Sequence, residues 1–214
     1  MAAGRRPDAV VSEPSEQGLY PAEHRALREL HAMANQLASH WTRLGGRLGG
    51  APGDALAAGA SAARELLREL ASRTAAHGLH GFPAAQGVGG RLAGARNMAG
   101  DLVLERNQAL RAAVLDVAHV VTLLAYLSAL ADRRGDAMLA AWHRRWEVRL
   151  LEAQDRVTAT VVAMAEDPAD AILPATPGTA GRAGHSLANA LGTVGEAIDG
   201  SRVGSAARSI SRRR

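Results

Sequence analysis

Residues 101–165 read DLVLERNQALRAAVLDVAHVVTLLAYLSALADRRGDAMLAAWHRRWEVRLLEAQDRVTATVVAMA. Two apolar-striped segments, 101–131 and 137–165, are joined by the polar turn Asp132-Arg133-Arg134-Gly135-Asp136. Val103, Leu110, Val114, Val117, Val121, Leu124 and Ala131 mark the first segment. Leu139, Trp142, Trp146, Leu150, Val157, Val161 and Met164 mark the second. Both sets recur at three- and four-residue steps, which puts each on one side of a helix. The pair predicts a long antiparallel helical hairpin whose stripes must be covered by other helices.

Those partners lie upstream. A first helix is expected to begin near Pro21, a residue suited to an opening turn, with Glu23 favouring the positive end of the helix dipole. Its stripe is Leu27, Leu30, Ala34, Leu37, Trp41 and Leu44, and Gly45-Gly46 is the expected stop. A loop over 49–53 then leads to Asp54 as the cap of a second helix with the stripe Leu56, Ala60, Ala63, Leu67 and Leu70. Residues 78–100 are glycine-rich, and the motif Gly-Gly-Arg-Leu at 45–48 recurs at 89–92, a weak echo in a low-complexity background.

The fold class that follows is all-α, a mostly antiparallel bundle of about five helices around the long central hairpin. The expected organisation is a disordered lead over 1–18, a bundle core over 19–165 and a Pro-containing linker over 166–178. A C-terminal helix over 179–199 follows, with Leu187, Leu191, Val194 and Ile198 on one side. A disordered Arg/Ser tail over 200–214 ends the chain.

Composition removes whole classes of chemistry. The chain has no cysteine, which excludes thiol catalysis, disulfides and cysteine-ligated metals. It has no lysine either, so a Walker A loop, a nucleotide-binding lysine and a Schiff base are excluded. All 25 basic residues are arginine, a bias that fits a GC-rich, bacterial-type coding sequence. The pI of about 10.7 overstates the charge, because the net charge is only +4. Twenty arginines and all 21 acids precede residue 202, so that part is nearly neutral. The net positive charge sits in Arg202, Arg208, Arg212, Arg213 and Arg214, a tail fit for weak, salt-sensitive contact with a polyanion such as an anionic membrane or nucleic acid.

The N-terminus shows no apolar run after its twin arginine, so no secretory signal is read there, and a cytoplasmic location is expected. Residues 112–131 approach the length of a bilayer span. Asp116 and His119 interrupt them, which favours a central helix buried by its neighbours over a transmembrane segment.

Asp116 and His119 share a helix face, as do His143 and Glu147 on the next helix. Carboxylate and imidazole on facing helices are the materials of a bundle metal site, which makes these four residues the candidate metal ligands. Counting outward from the turn sets Arg149, rather than Glu147, level with His119, so the registry favours an Asp116–Arg149 ion pair. No glutamate-x-x-histidine pair occurs. Gly184-His185-Ser186-Leu187-Ala188 lacks the preceding strand that a nucleophile elbow needs, and residues 87–92 miss the dinucleotide pattern.

Gly184, Ala188 and Gly192, and likewise Ala55, Gly59 and Ala63, are spaced for close helix–helix approach. Trp41, Trp142 and Trp146 are expected core anchors. No cofactor is expected. The sequence therefore points to a non-enzymatic bundle acting through a protein partner or self-association, with a metal-binding bundle and a polyanion-binding tail as the alternatives.

Overall fold

The computed structural model describes residues 18–75 and 104–176. Within them the chain forms α1 (Pro21–Leu48), α2 (Gly50–Ala75), α3 (Arg106–Arg134), α4 (Ala137–Ala163) and a short α5 (Pro168–Ala171), with a 3-10 turn over Met164–Glu166. The all-α antiparallel bundle expected from the stripes is what the chain builds.

The start of α1 is fixed by one carboxylate. Glu23 accepts the Tyr20 backbone N–H at 2.8 Å, satisfying a donor that the helix itself cannot use. The same side chain, fully buried, receives Arg134 Nε at 3.2 Å and so ties the first turn of α1 to the last turn of α3. At the opposite end Arg106 Nη2 donates to the Leu48 carbonyl at 3.0 Å. These two ties make α1 and α3 antiparallel neighbours.

The contacts of Glu69 with Trp142 and Trp146, and of Glu65 with Arg149, do the same for α2 and α4. With α1 against α2 and α3 against α4, each helix runs opposite to both of its neighbours. Consequently α2 ends at the end of the bundle where α3 also ends, while α3 begins at the other.

The connection between α1 and α2 differs from the expected loop. α1 continues through Gly45 and Gly46 to Leu48, and α2 starts at Gly50, so Asp54 caps nothing. Gly49 and Gly50 turn the chain with φ of 62° and 53°, a region in which a Cβ is strained. Of the two glycines expected to stop the helix, Gly45 instead lets α1 and α2 touch. A Cβ on Gly53 would lie 2.7 Å from the Gly45 carbonyl oxygen, and one on Gly59 only 2.1 Å from the Trp41 ring. The Ala55-Gly59-Ala63 spacing is therefore a seat for Trp41.

Inside, the α1 stripe from Leu27 to Leu44 is buried throughout. Leu56, Ala60, Ala63, Leu66 and Leu70 face it from α2, and Leu110, Ala113, Val117, Val120, Leu124 and Leu127 from α3. Leu139, Trp142, Trp146, Leu150 and Val157 complete the core from α4. Each large apolar side chain buried this way contributes about 1.5–3 kcal/mol. Val114 and Val121 sit at the edge of the core rather than in it, and Val103 lies outside the described residues.

Gly135, with φ of 84°, ends α3, and Asp136 caps α4 by accepting the Leu139 N–H at 2.9 Å. After α4 the stretch expected as a linker is held in place. Asp167 caps α5, and residues 173–175 bond to the first turn of α3 through Arg106 N–H to Leu173 O at 2.9 Å and Ala175 N–H to Leu104 O at 3.0 Å. The described chain thus ends at the start of α3.

Candidate functional site

The four candidate metal ligands do not meet. Asp116 turns to α1, where its Oδ2 lies 2.6 Å from Nδ1 of the buried His40. His119 also turns to α1 and pairs with Glu29 at 2.9 Å. His143 is fully buried, and Glu147, one turn further along α4, is only half-buried. Among the described residues no group of three His, Asp or Glu side chains is placed to hold a metal.

The expected Asp116–Arg149 ion pair is also absent. Arg149 pairs with Glu65 of α2 at 2.5 Å and stacks 4.8 Å over the Trp146 ring. The registry placed the two residues at one level along the hairpin but was blind to rotation about each axis. Asp116 faces α1 on one side of the bundle, and Arg149 faces α2 on the other.

Sequence reasoning did not anticipate Glu69 as a centre of the α2–α4 contact. Its Oε2 accepts both indole N–H groups, from Trp142 at 2.8 Å and Trp146 at 3.1 Å, and pairs with Arg145. Partial burial pushes this carboxyl up, but the two indoles and the Arg145 and Arg73 guanidiniums outweigh it and hold the group below the usual carboxylate range. The expectation that Trp41, Trp142 and Trp146 are core anchors holds, since all three are buried. Two of them also fasten α4 to α2 by hydrogen bonds.

His143 is the polar exception inside. Neither ring nitrogen has a hydrogen-bond partner, and the edge of Trp142 packs against it with centroids 5.1 Å apart. Burial disfavours the imidazolium and pushes the group down to about 4, Asp136 opposing and Arg134 adding to the shift. His143 is therefore a neutral core residue at neutral pH.

The surface offers the remaining candidate. α3 buries one side of itself and leaves the other uncovered. Arg111, Leu115, His119, Thr122, Tyr126, Ala129 and Arg133 follow one another at three- and four-residue steps along its outward side, with Ala118 and Ala125 beside them. Between the two terminal arginines the ionisable group on this face is His119, half-exposed and paired with Glu29 of α1. Leu115 is 72% exposed and Tyr126 47%. Even the Thr122 hydroxyl is turned back onto the helix, donating to the Ala118 carbonyl at 2.9 Å. By length and composition α3 is the one helix among the described residues that could cross a membrane. The burial by neighbours expected of this helix is found on its inner side, and its outer side is left open.

At the far end this face opens into a hollow of about 550 Å3 lined by Tyr20, Pro21, Ala22, Arg25, Leu130 and Arg133. The acids nearest in sequence are committed elsewhere, Glu23 to Arg134, Asp132 to Arg144 and Glu29 to His119. Arg25 and Arg133 have no partner among the described residues, so two uncompensated positive charges flank an apolar floor.

Comparison with protein families, with characterised proteins and with solved structures finds no match to this chain. The site must be argued from its own geometry. Its apolar character was present in the sequence, because residues 112–131 are apolar on both sides of the helix. A search for the single best stripe takes the inner side and discards the outer one. The five tail arginines, from Arg202 to Arg214, and the Gly184-Ala188-Gly192 spacing lie outside the described residues.

Proposed function

We propose that this protein is a non-enzymatic helical bundle that works by helix docking on the outer face of α3, in self-association or with a protein partner. The observation that carries the reading is the outward row from Leu115 to Ala129, apolar but for Thr122 and for His119, which pairs with Glu29 at its border. An apolar helix face in water lowers its free energy when a second apolar surface covers it, by roughly 25 cal/mol for each Å2 removed from solvent. Small residues at 118, 125 and 129 let another helix approach closely, and Leu115 and Tyr126 supply anchors at one-helix spacing. Chemistry argues in the same direction. The buried His143 has no hydrogen-bond partner, and Glu23, Glu65, Glu69, Asp116 and His119 are spent on interhelical ties.

The test is sedimentation equilibrium on the full chain over a wide concentration range. Wild type is expected to show a self-association equilibrium that Leu115→Arg/Tyr126→Arg removes, with the melting temperature unchanged. Equal association by the double variant would refute the reading.

A further inference from the structure

We propose that the helix seated on the outer face of α3 in the isolated protein is the chain's own stretch 179–199, running parallel to α3 from its first turn to the hollow at its end. This rests on the reading of that face as a docking surface and names its first occupant.

Three observations carry it. The first is position. The described chain ends at Thr176, and residues 173–175 are bonded to Leu104 and Arg106, so whatever follows departs from the start of α3. The second is matched length and pattern. Residues 179–199 carry the apolar row Leu187, Leu191, Val194 and Ile198. Leu187 and Ile198 are separated by the same number of residues as Leu115 and Tyr126, about 16 Å in a helix. With two residues to leave the turn at 176, Leu187 comes level with Leu115 and Ile198 level with Tyr126. Gly184, Ala188 and Gly192 offer the small side that close packing on Ala118 and Ala125 needs.

The third is charge. After Thr176 the sequence has only two acids, Glu196 and Asp199, and both fall at the end of the stretch. Running parallel to α3 brings them to the hollow where Arg25 and Arg133 stand unpaired. An antiparallel course would put them at Arg106, which already holds Asp170. The other undescribed internal stretch, 76–103, carries seven glycines and a proline and has no comparable apolar row.

A short tether gives the segment an effective concentration in roughly the millimolar range. A second copy or partner then gains the face only by displacing it, which makes 179–199 a built-in competitor.

The absence of cysteine permits a clean test in the full chain. Under mild oxidation Leu115→Cys/Leu187→Cys is expected to close within one molecule at least about tenfold faster than Tyr126→Cys/Leu187→Cys, whose partners are about 16 Å apart along α3. Equal rates for the two pairs would overturn the proposal, and so would disulfides formed only between molecules, which would assign the face to a second copy. Glu196→Arg/Asp199→Arg should slow closure of the first pair, and adding Arg25→Glu/Arg133→Glu should restore it. No restoration would remove the charge register. Fast closure of the first pair together with no association in any variant would leave the docked segment standing and end the interaction reading instead.

Discussion

The two helices of the central hairpin are near equals in length and in what they bury, yet they present opposite outer faces. Outside, α4 carries Arg144, Arg145, Arg149, Glu152, Asp155 and Arg156, so that Val148 and Leu151 stand among charges, while its other exposed apolar residues, Met138 and Val162, lie at its two ends. Most of these charges are paired, Arg144 with Asp132, Arg145 with Glu69, Arg149 with Glu65 and Arg156 with Glu152. Between Arg111 and Arg133 the corresponding side of α3 offers one ionisable group, His119, paired with Glu29 of α1. One helix has its apolar side covered by its two neighbours; the other has a second apolar side that they leave uncovered. An apolar residue in isolation on a surface is ordinary, whereas a continuous, largely apolar face is a demand for a partner.

With association on the outer side of α3 as proposed, stability belongs to the inner sides of the hairpin, a division that can be broken by substitution. The largest effect is expected from Trp146→Ala, which empties a fully buried site and removes one of the donors to Glu69. A loss of about 3–5 kcal/mol in denaturant unfolding is expected. A loss below about 1 kcal/mol would show that the α2–α4 contact is not what holds the bundle.

His143 gives the next largest effect and a defined pH window. Its folded value is about 4 against 6.5 in the unfolded chain, so the unfolded state binds the proton first as pH falls. Stability is expected to be level above pH 6.5 and to decline between 6.5 and 4 by about 3 kcal/mol, at roughly 1.4 kcal/mol per unit. Leu in place of His143 should flatten this part of the profile and raise stability at pH 5. An unchanged slope in the variant would place the acid sensitivity elsewhere.

Gly59→Ala is expected to cost about 1–3 kcal/mol, because the added methyl meets the Trp41 ring and the α1–α2 spacing must open. The neighbouring Ala58→Ser, on the exposed side of α2, serves as its control in thermal melts. The smallest effect belongs to the outside of α4. Arg156→Gln should change stability by less than about 0.5 kcal/mol and leave association untouched, as expected for an exposed i,i+4 pair. Loss of association on changing Arg156 would erase the distinction between the two faces.

The hairpin, its turn and the inner stripes were legible in the sequence because a 3.6-residue period survives any detail of packing. The α1–α2 turn was misread at Gly45-Gly46 for a physical reason. Glycine lowers helix propensity, but tertiary contact overrides propensity where only a missing Cβ lets two backbones meet. The pairing of Asp116 with His40 instead of Arg149 was illegible, since residue counting gives height along a helix and the neighbour across the gap is set by how α1 packs. The isolation of His143 was equally hidden: nothing in Trp142-His143-Arg144 tells a core imidazole from a solvated one until α1 and α2 close over it. The second apolar face of α3, by contrast, was visible and was read as a sign of deep burial.

The central claim is that the outer face of α3 is covered in the working protein and the outer face of α4 is not. In this cysteine-free chain the most direct measurement is the rate of maleimide labelling of Leu115→Cys compared with Val148→Cys in the native full-length protein. The four-helix bundle by itself leaves Leu115 72% exposed and Val148 56%, so its surface alone favours faster reaction at 115. A face covered about nine-tenths of the time slows reaction at 115 about tenfold and reverses that order, so labelling at 115 is predicted to be at least about fivefold slower than at 148. Equal or faster labelling at 115 would contradict the account.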